Sequence, residues 1–235
     1  MKTAKPAAPL SRAENYVLIA LVMAQLVIFL IPLIVLGNAI GWPASLRLPA
    51  AEALPLIARE ALAVQVGYWG YLVTSIALVP LALAMRQYAM RSGMSGLLVD
   101  SAAAIGVASG VLKTLGIVRW LIAMPSLASL YESSTDPVVR TAVEVSYQAL
   151  NGYAGSVGEL LGVQLFSGMW LLLTGIVIFR LGFRVTGPYA AVIGALFTLT
   201  ALRTIFPALE ILQAILPPAA LIWFPAFAFV LWRRG

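Results

Sequence analysis

Six apolar runs, each long enough to cross a bilayer as a helix, constrain this chain more than any single motif. They cover residues 16–37, 61–85, 97–124, 153–179, 187–206 and 209–231. A hydrocarbon core of about 30 Å takes roughly 20 apolar residues in a helix, so each run is one predicted span. A membrane β-barrel would alternate apolar and polar residues, and these runs are continuous. Only 10% of the residues are charged and the mean hydropathy is +0.98, where a soluble domain carries about a quarter charged residues. The expected fold is all-α: a polytopic integral membrane protein, one transmembrane domain over residues 16–235 behind a polar cytoplasmic tail of residues 1–15. A basic tail before an apolar run also occurs in secretory signals. The first run is longer than a signal core of about 7–15 residues, so a retained first helix is expected.

Lysine and arginine predict the orientation. With the amino terminus inside, nine basic residues fall on the cytoplasmic side: Lys2, Lys5, Arg12, Arg86, Arg91, Arg180, Arg184, Arg233 and Arg234. Three fall outside, Arg47, Arg59 and Arg140. This positive-inside bias places both termini in the cytoplasm. It also accounts for the net charge of +6 without a nucleic-acid partner.

The connections carry local signals. Residues 38–60 form an external connection in which Ala50–Ala63 has helical spacing and is expected to lie along the surface. After Pro125 the stretch SLASLYESSTDP reads as a polar external segment. Asp136-Pro137 then reads as a helix start, with Asp as N-cap and Pro where no amide donor is needed. The helix over residues 138–150 is amphipathic, an interfacial external helix between the third and fourth spans, with a bend expected at Asn151-Gly152. Pro217, Pro218 and Pro225 predict kinks in the last span. Trp42, Trp69, Trp223 and Trp232 are expected as interfacial anchors or lipid-facing packing.

Against this apolar background the ionisable residues stand out. Lys113 and Arg119 lie in the third run and Glu159 in the fourth; Arg203 and Glu210 flank the turn between the last two. A charge inside a span costs about 2.5–3.5 kcal/mol on insertion scales, and it usually faces a protein interior or a polar cavity. At about 1.5 Å per residue from the external helix ends, Arg119 lies roughly 9 Å deep, Glu159 12 Å and Lys113 18 Å. All five are expected in the outer half of the membrane. Asn151, Gly155, Glu159 and Gly162 recur at helical spacing, as do Gly106, Gly110 and Lys113, so two small-residue stripes are expected to pack. Arg119 is the expected partner of Glu159, because guanidinium meets a carboxylate bidentately. Such a pair also serves as a register lock between helices with no ligand at all. Asp100 is expected near the amino terminus of its helix.

At this point the sequence resembles a bacterial membrane family known as domain of unknown function 4386. The resemblance is carried by Arg119-Trp120, Pro125, Leu127-Ala128 and Tyr131, by Glu144, Gln148, Asn151 and Gly155, and by Gly158-Glu159-Leu160 with Gly162 and Trp170. It implies a bacterial inner-membrane location and draws Trp120, Tyr131, Glu144 and Gln148 into the candidate polar cluster. Leu161 stands where some members of that family carry His, so chemistry needing that imidazole is not expected here.

The chain has no Cys and no His, which removes thiol nucleophiles, imidazole bases and thiolate or imidazole metal ligands. No cofactor is expected, and no phosphate loop, dinucleotide fingerprint or zinc-protease motif is present. Three readings follow. The first is a protein that binds or transports a small amphipathic molecule or lipid through an outer-leaflet polar site. The second is a structural or regulatory subunit, with another membrane protein or a second copy of the chain as partner. The third is an intramembrane enzyme with Glu159 as acid or base and Arg119 as anion clamp, which the absence of a nucleophile–base pair makes the weakest.

Overall fold

The computed structural model describes residues 12–234, so most of the predicted tail lies outside the described residues. No strand forms among them. The helices are α1 (Arg12–Ile40), α2 (Ala50–Arg59), α3 (Ala61–Arg91), α4 (Leu97–Leu121), α5 (Ala123–Ser133), α6 (Pro137–Ser156), α7 (Gly168–Arg180), α8 (Thr186–Thr200) and α9 (Leu212–Arg234). Between α6 and α7 the helix continues without a break but widens to a π-helix over Val157–Ser167. Five helical stretches are long and apolar enough to cross a membrane, namely α1, α3, α4 with α5, α6 through α7, and α9 with the turn before it. The architecture is that of an all-α polytopic membrane protein.

The fifth predicted span is shorter than expected. Its α-helix, α8, has 15 residues, about 22 Å, and tightens into a 3-10 turn at Ala201–Thr204. Pro207 is the physical reason, since a residue before proline is pushed out of the α region and Phe206 sits at φ −120° and ψ 85°.

The long helices close into a ring. α1 packs on α3, α3 on α4, α4 on the π-segment and α7, α7 on α8, α8 on α9, and α9 back on α1. Small residues allow the tightest contacts. A side chain on Gly175 would strike the Gly187 carbonyl and the backbone of Ala191 in α8, and one on Gly187 would strike the backbone of Phe179. Trp223 in α9 donates to the Thr186 carbonyl at 3.1 Å and Tyr189 in α8 donates to Ala219 at 2.8 Å.

At one end of the ring, α2, α5 and the first half of α6 pack on one another as a cap. Two sequence expectations change here. The stretch after Pro125 is helical to Ser133, because Ala128 and Tyr131 bury against α2 and α6. No bend occurs at Asn151-Gly152: α6 runs through both residues into the span, held by the Asn151 side chain on a neighbouring loop. The Asp136 cap is as expected, its carboxylate accepting from the Val138 amide at 2.9 Å.

The opposite end carries arginines. Arg86 pairs with Asp100 at 2.7 Å and Arg91 with Glu14 at 2.6 Å. Arg234 caps the carbonyls of Leu181 and Gly182 at 3.2 and 2.6 Å.

Two large apolar clusters fill the interior, with a smaller one of Ala89, Val99 and Val177 beside them. The cluster at the arginine end includes Leu18, Val22, Leu81, Trp170, Phe183 and Phe227. Trp223 belongs to it, 1% exposed and stacked on Phe227 at 4.9 Å, and so is core instead of a lipid-facing anchor. The cluster at the cap end includes Leu36, Leu54, Tyr68, Trp120, Met124 and Tyr147. Along each helix the residues between the clusters include polar ones: Gln25 on α1, Thr74 and Ser75 on α3, Ser109 and Lys113 on α4, Glu159 and Gln164 on the π-segment. A polar layer thus crosses the apolar interior.

Candidate ligand-binding site

The polar layer is assembled around the contact between α4 and the π-segment. A Cβ on Gly158 would lie 2.9 Å from the Gly116 Cα, and one on Gly162 would lie 2.9 Å from the Lys113 amide nitrogen. The two backbones touch because neither glycine brings a side chain. Ser109 on α4 donates to the Gly162 carbonyl at 2.8 Å and lies 2.6 Å from the Ser167 hydroxyl. Ser167 also donates to Gly162, five residues back, at 3.0 Å. These side-chain bonds hold a segment whose geometry is rare outside functional sites.

That packing decides where Glu159 points, and it overturns the expected Arg119–Glu159 pair. The side of the end of α6 and of the π-segment that faces α4 is taken by Gly155, Gly158 and Gly162, against Arg119, Gly116 and Lys113 respectively. Backbone contact leaves no room there for a carboxylate. Glu159, one residue past Gly158 in a turn wider than 3.6 residues, swings toward the turn after α8. Its Oε1 lies 3.4 Å from Arg203 Nη2 and accepts from Gln164 Nε2 at 3.4 Å. Arg203 Nη1 donates to Gln164 Oε1, closing the triangle. The Glu159 side chain is 43% and Arg203 23% exposed, so the group opens at the flank of the bundle.

Arg119 has different partners. It donates to the Gly116 carbonyl at 2.5 Å and to Asn151 Oδ1 at 3.3 Å, and lies 5.5 Å from the Trp120 ring centre. Asn151 in turn donates to the Leu46 carbonyl at 3.0 Å. Trp120 stacks on Tyr68 at 4.7 Å. Tyr68 and Tyr147 lie in the same buried cluster as Trp120. The Arg119 Nε and the hydroxyls of Tyr68 and Tyr147 are buried and make no hydrogen bond within the protein. Lys113 lies deeper, its Nζ 5.8 Å from the Tyr71 ring centre. Tyr71 packs edge-on with Phe29 and Trp42 at 5.6 and 5.8 Å, so Trp42 is an inner aromatic wall.

The remaining candidates lie at the rim or outside the cluster. Glu210 pairs with Arg47, which also reaches Gln213 at 2.7 Å, on the exposed rim. Tyr131 donates to Glu144 at 2.8 Å and so ties α5 to α6, with Arg140 4.5 Å from the Tyr131 ring centre. Gln148 is exposed on α6. A groove along α6, lined by Pro137, Val138, Thr141, Ala142 and Val145, is apolar and shares no residue with the cluster.

Sequence reasoning missed Tyr68, Tyr71, Tyr147 and Gln164. Tyr68 and Tyr71 were masked by Trp69 between them, which is 55% exposed and points away from the cluster. A period count would have separated Tyr68, in line with Val64, Leu72 and Ser75, from Trp69. Gln164 stands five residues after Glu159, a spacing that places two residues together only on a π-helix.

The candidates thus form two groups, the Glu159–Arg203–Gln164 triangle and the cations Arg119 and Lys113 beside the aromatic rings of Trp120 and Tyr71, with the Tyr68 and Tyr147 hydroxyls unpaired. Such a set can hold a polar or anionic group; it holds no nucleophile–base pair. Comparison with curated proteins and with solved structures gives no match. One family model covers nearly the whole chain, residues 16–235, and the protein belongs to that family, described as a domain of unknown function (DUF4386).

Proposed function

We propose that this protein binds or moves a small amphipathic molecule or lipid through the polar layer near the cap. The observation that carries this reading is the Glu159–Arg203–Gln164 triangle, part-exposed at the flank of an otherwise apolar bundle. An ion pair acts as a register lock when it is enclosed, because breaking one partner then leaves an uncompensated buried charge. An open one offers a headgroup both signs of charge beside apolar walls. The walls are at hand: Leu199, Leu202, Ile205 and Phe206 are exposed around the Arg203 turn.

The reading includes an orientation. The arginine end faces the cytoplasm of a bacterial inner membrane and the cap faces outward, following the positive-inside bias. The chain lacks cysteine, so single cysteines report sidedness directly. Ser133→Cys in the cap should react with an impermeant maleimide on intact cells and Ser92→Cys should not; the reverse pattern inverts the orientation.

Native mass spectrometry of gently extracted protein tests the binding role. We expect a retained amphiphile in the wild type and about tenfold less in the Glu159→Gln/Arg203→Gln double variant, which removes both charges of the pair together. A wild type that carries nothing, or a double variant that retains the same species equally, would reduce the triangle to a structural lock.

A further inference from the structure

Lys113 and Arg119 are part-buried cations with no carboxylate in contact. Among the described residues, every nearby acid is already engaged: Glu159 with Arg203, Glu210 with Arg47, and Glu144 with the Tyr131 hydroxyl. Neither cation has an Asp or Glu oxygen within 4.0 Å. The Tyr71 ring, 5.8 Å from Lys113 Nζ, offers a weak quadrupole and no lone pair suited to an ammonium. Arg119 lies instead against the Trp120 ring, 5.5 Å from its centre, which stacks on Tyr68.

The surrounding polar atoms are short of acceptors. Guanidinium and ammonium groups only donate. Arg119 Nε is a donor without a partner, the hydroxyls of Tyr68 and Tyr147, which can donate or accept, make no hydrogen bond, and each tyrosine is 1% exposed. Water would satisfy the hydroxyls but would leave two positive charges uncompensated in a low-dielectric layer. An oxyanion supplies both the missing charge and the missing lone pairs, and charge-assisted bonds to it are the strong kind.

We propose that Lys113, Arg119, Tyr68 and Tyr147 bind the anionic headgroup, phosphate or carboxylate, of the amphiphile. The proposal rests on the amphiphile-binding reading above and specifies the ligand's charge. Glu159 does not oppose it, because Arg203 neutralises that carboxylate.

The test is thermal unfolding of the purified protein in neutral detergent, titrated separately with dodecyl phosphate, dodecanoate, neutral monolaurin and inorganic phosphate. Dodecyl phosphate and dodecanoate should raise the midpoint saturably, and monolaurin should need at least about tenfold more to do so. Arg119→Gln should weaken dodecyl phosphate by about tenfold or more. Tyr147→Phe, which keeps the ring and its packing, should weaken it several-fold, so a folding defect at Arg119 does not leave the idea unexamined. Inorganic phosphate acting as strongly as dodecyl phosphate would retain the anion site but assign it to a free ion, against the amphiphile. Equal stabilisation by monolaurin and dodecyl phosphate, unchanged in Tyr147→Phe, would overturn the anionic headgroup while leaving amphiphile binding intact. No response to any chain-bearing probe would remove both.

Discussion

Gly116 and Gly158 decide which side chains can meet in the polar layer. A methyl group on Gly116 would run into the Gly158 backbone and lie 3.0 Å from the Ala154 carbonyl. Those are backbone atoms that cannot rotate aside. Gly116→Ala should therefore cost about 1–3 kcal/mol, read as a lower unfolding midpoint in detergent. Gly152 is the internal control: a Cβ there meets nothing within 4 Å. Gly152→Ala should be neutral or stabilising by up to about 1 kcal/mol, since alanine is the better helix former. Equal losses at both positions would mean that the close approach of α4 and the π-segment is not what these glycines serve. Of the small-residue stripes read from spacing, Gly155 and Gly162 do lie against Arg119 and Lys113, whereas Gly106 and Gly110 pack on Ala82, Trp170, Ser75 and Val79, and the closest approach is made by Gly116 and Gly158, outside both stripes. The partner of Glu159 was not legible. Spacing assigned it to the stripe of Gly155 and Gly162 by assuming 3.6 residues per turn, and the chain widens its turn at that point.

Among the elements, the apolar spans could be read directly because burial in lipid demands long uninterrupted runs. The start of α6 could be read as well, since Asp136-Pro137 is a local capping signal confirmed by the bond to Val138. Other features depend on tertiary contacts that no local pattern encodes. The helix α5 forms because its buried residues meet α2 and α6, although its sequence is polar enough to read as loop. The π-segment is held from outside by Ser109 of α4. With two internal glycines, Gly158 and Gly162, and an uncommon hydrogen-bond pattern, it should open locally more easily than the α-helix that follows. Hydrogen–deuterium exchange in detergent should show amides of Val157–Ser167 exchanging at least about tenfold faster than those of Gly168–Arg180. Equal protection across the two would show the π-segment to be as firmly held as its neighbour.

For the molecule as a whole, the ring of helices, the cap and the polar layer form one physical arrangement. Two apolar clusters supply the cohesion, one at the arginine end and one beneath the cap. The layer between them concentrates Lys113, Arg119, Glu159 and Arg203 where apolar helices would otherwise exclude charge. The Glu159–Arg203 pair is a part-exposed face of that layer. The central claim is that an amphiphile enters there. Photo-crosslinking in native membranes with a diazirine-bearing lipid, mapped by peptide mass spectrometry, tests it most directly. We expect adducts enriched on residues 109–120 and 157–167, and lost from them in the Glu159→Gln/Arg203→Gln variant. Adducts confined to the outward faces of α1 and α3, at exposed residues such as Val27, Ile34, Val66 and Val73, with 109–120 and 157–167 unlabelled, would contradict it.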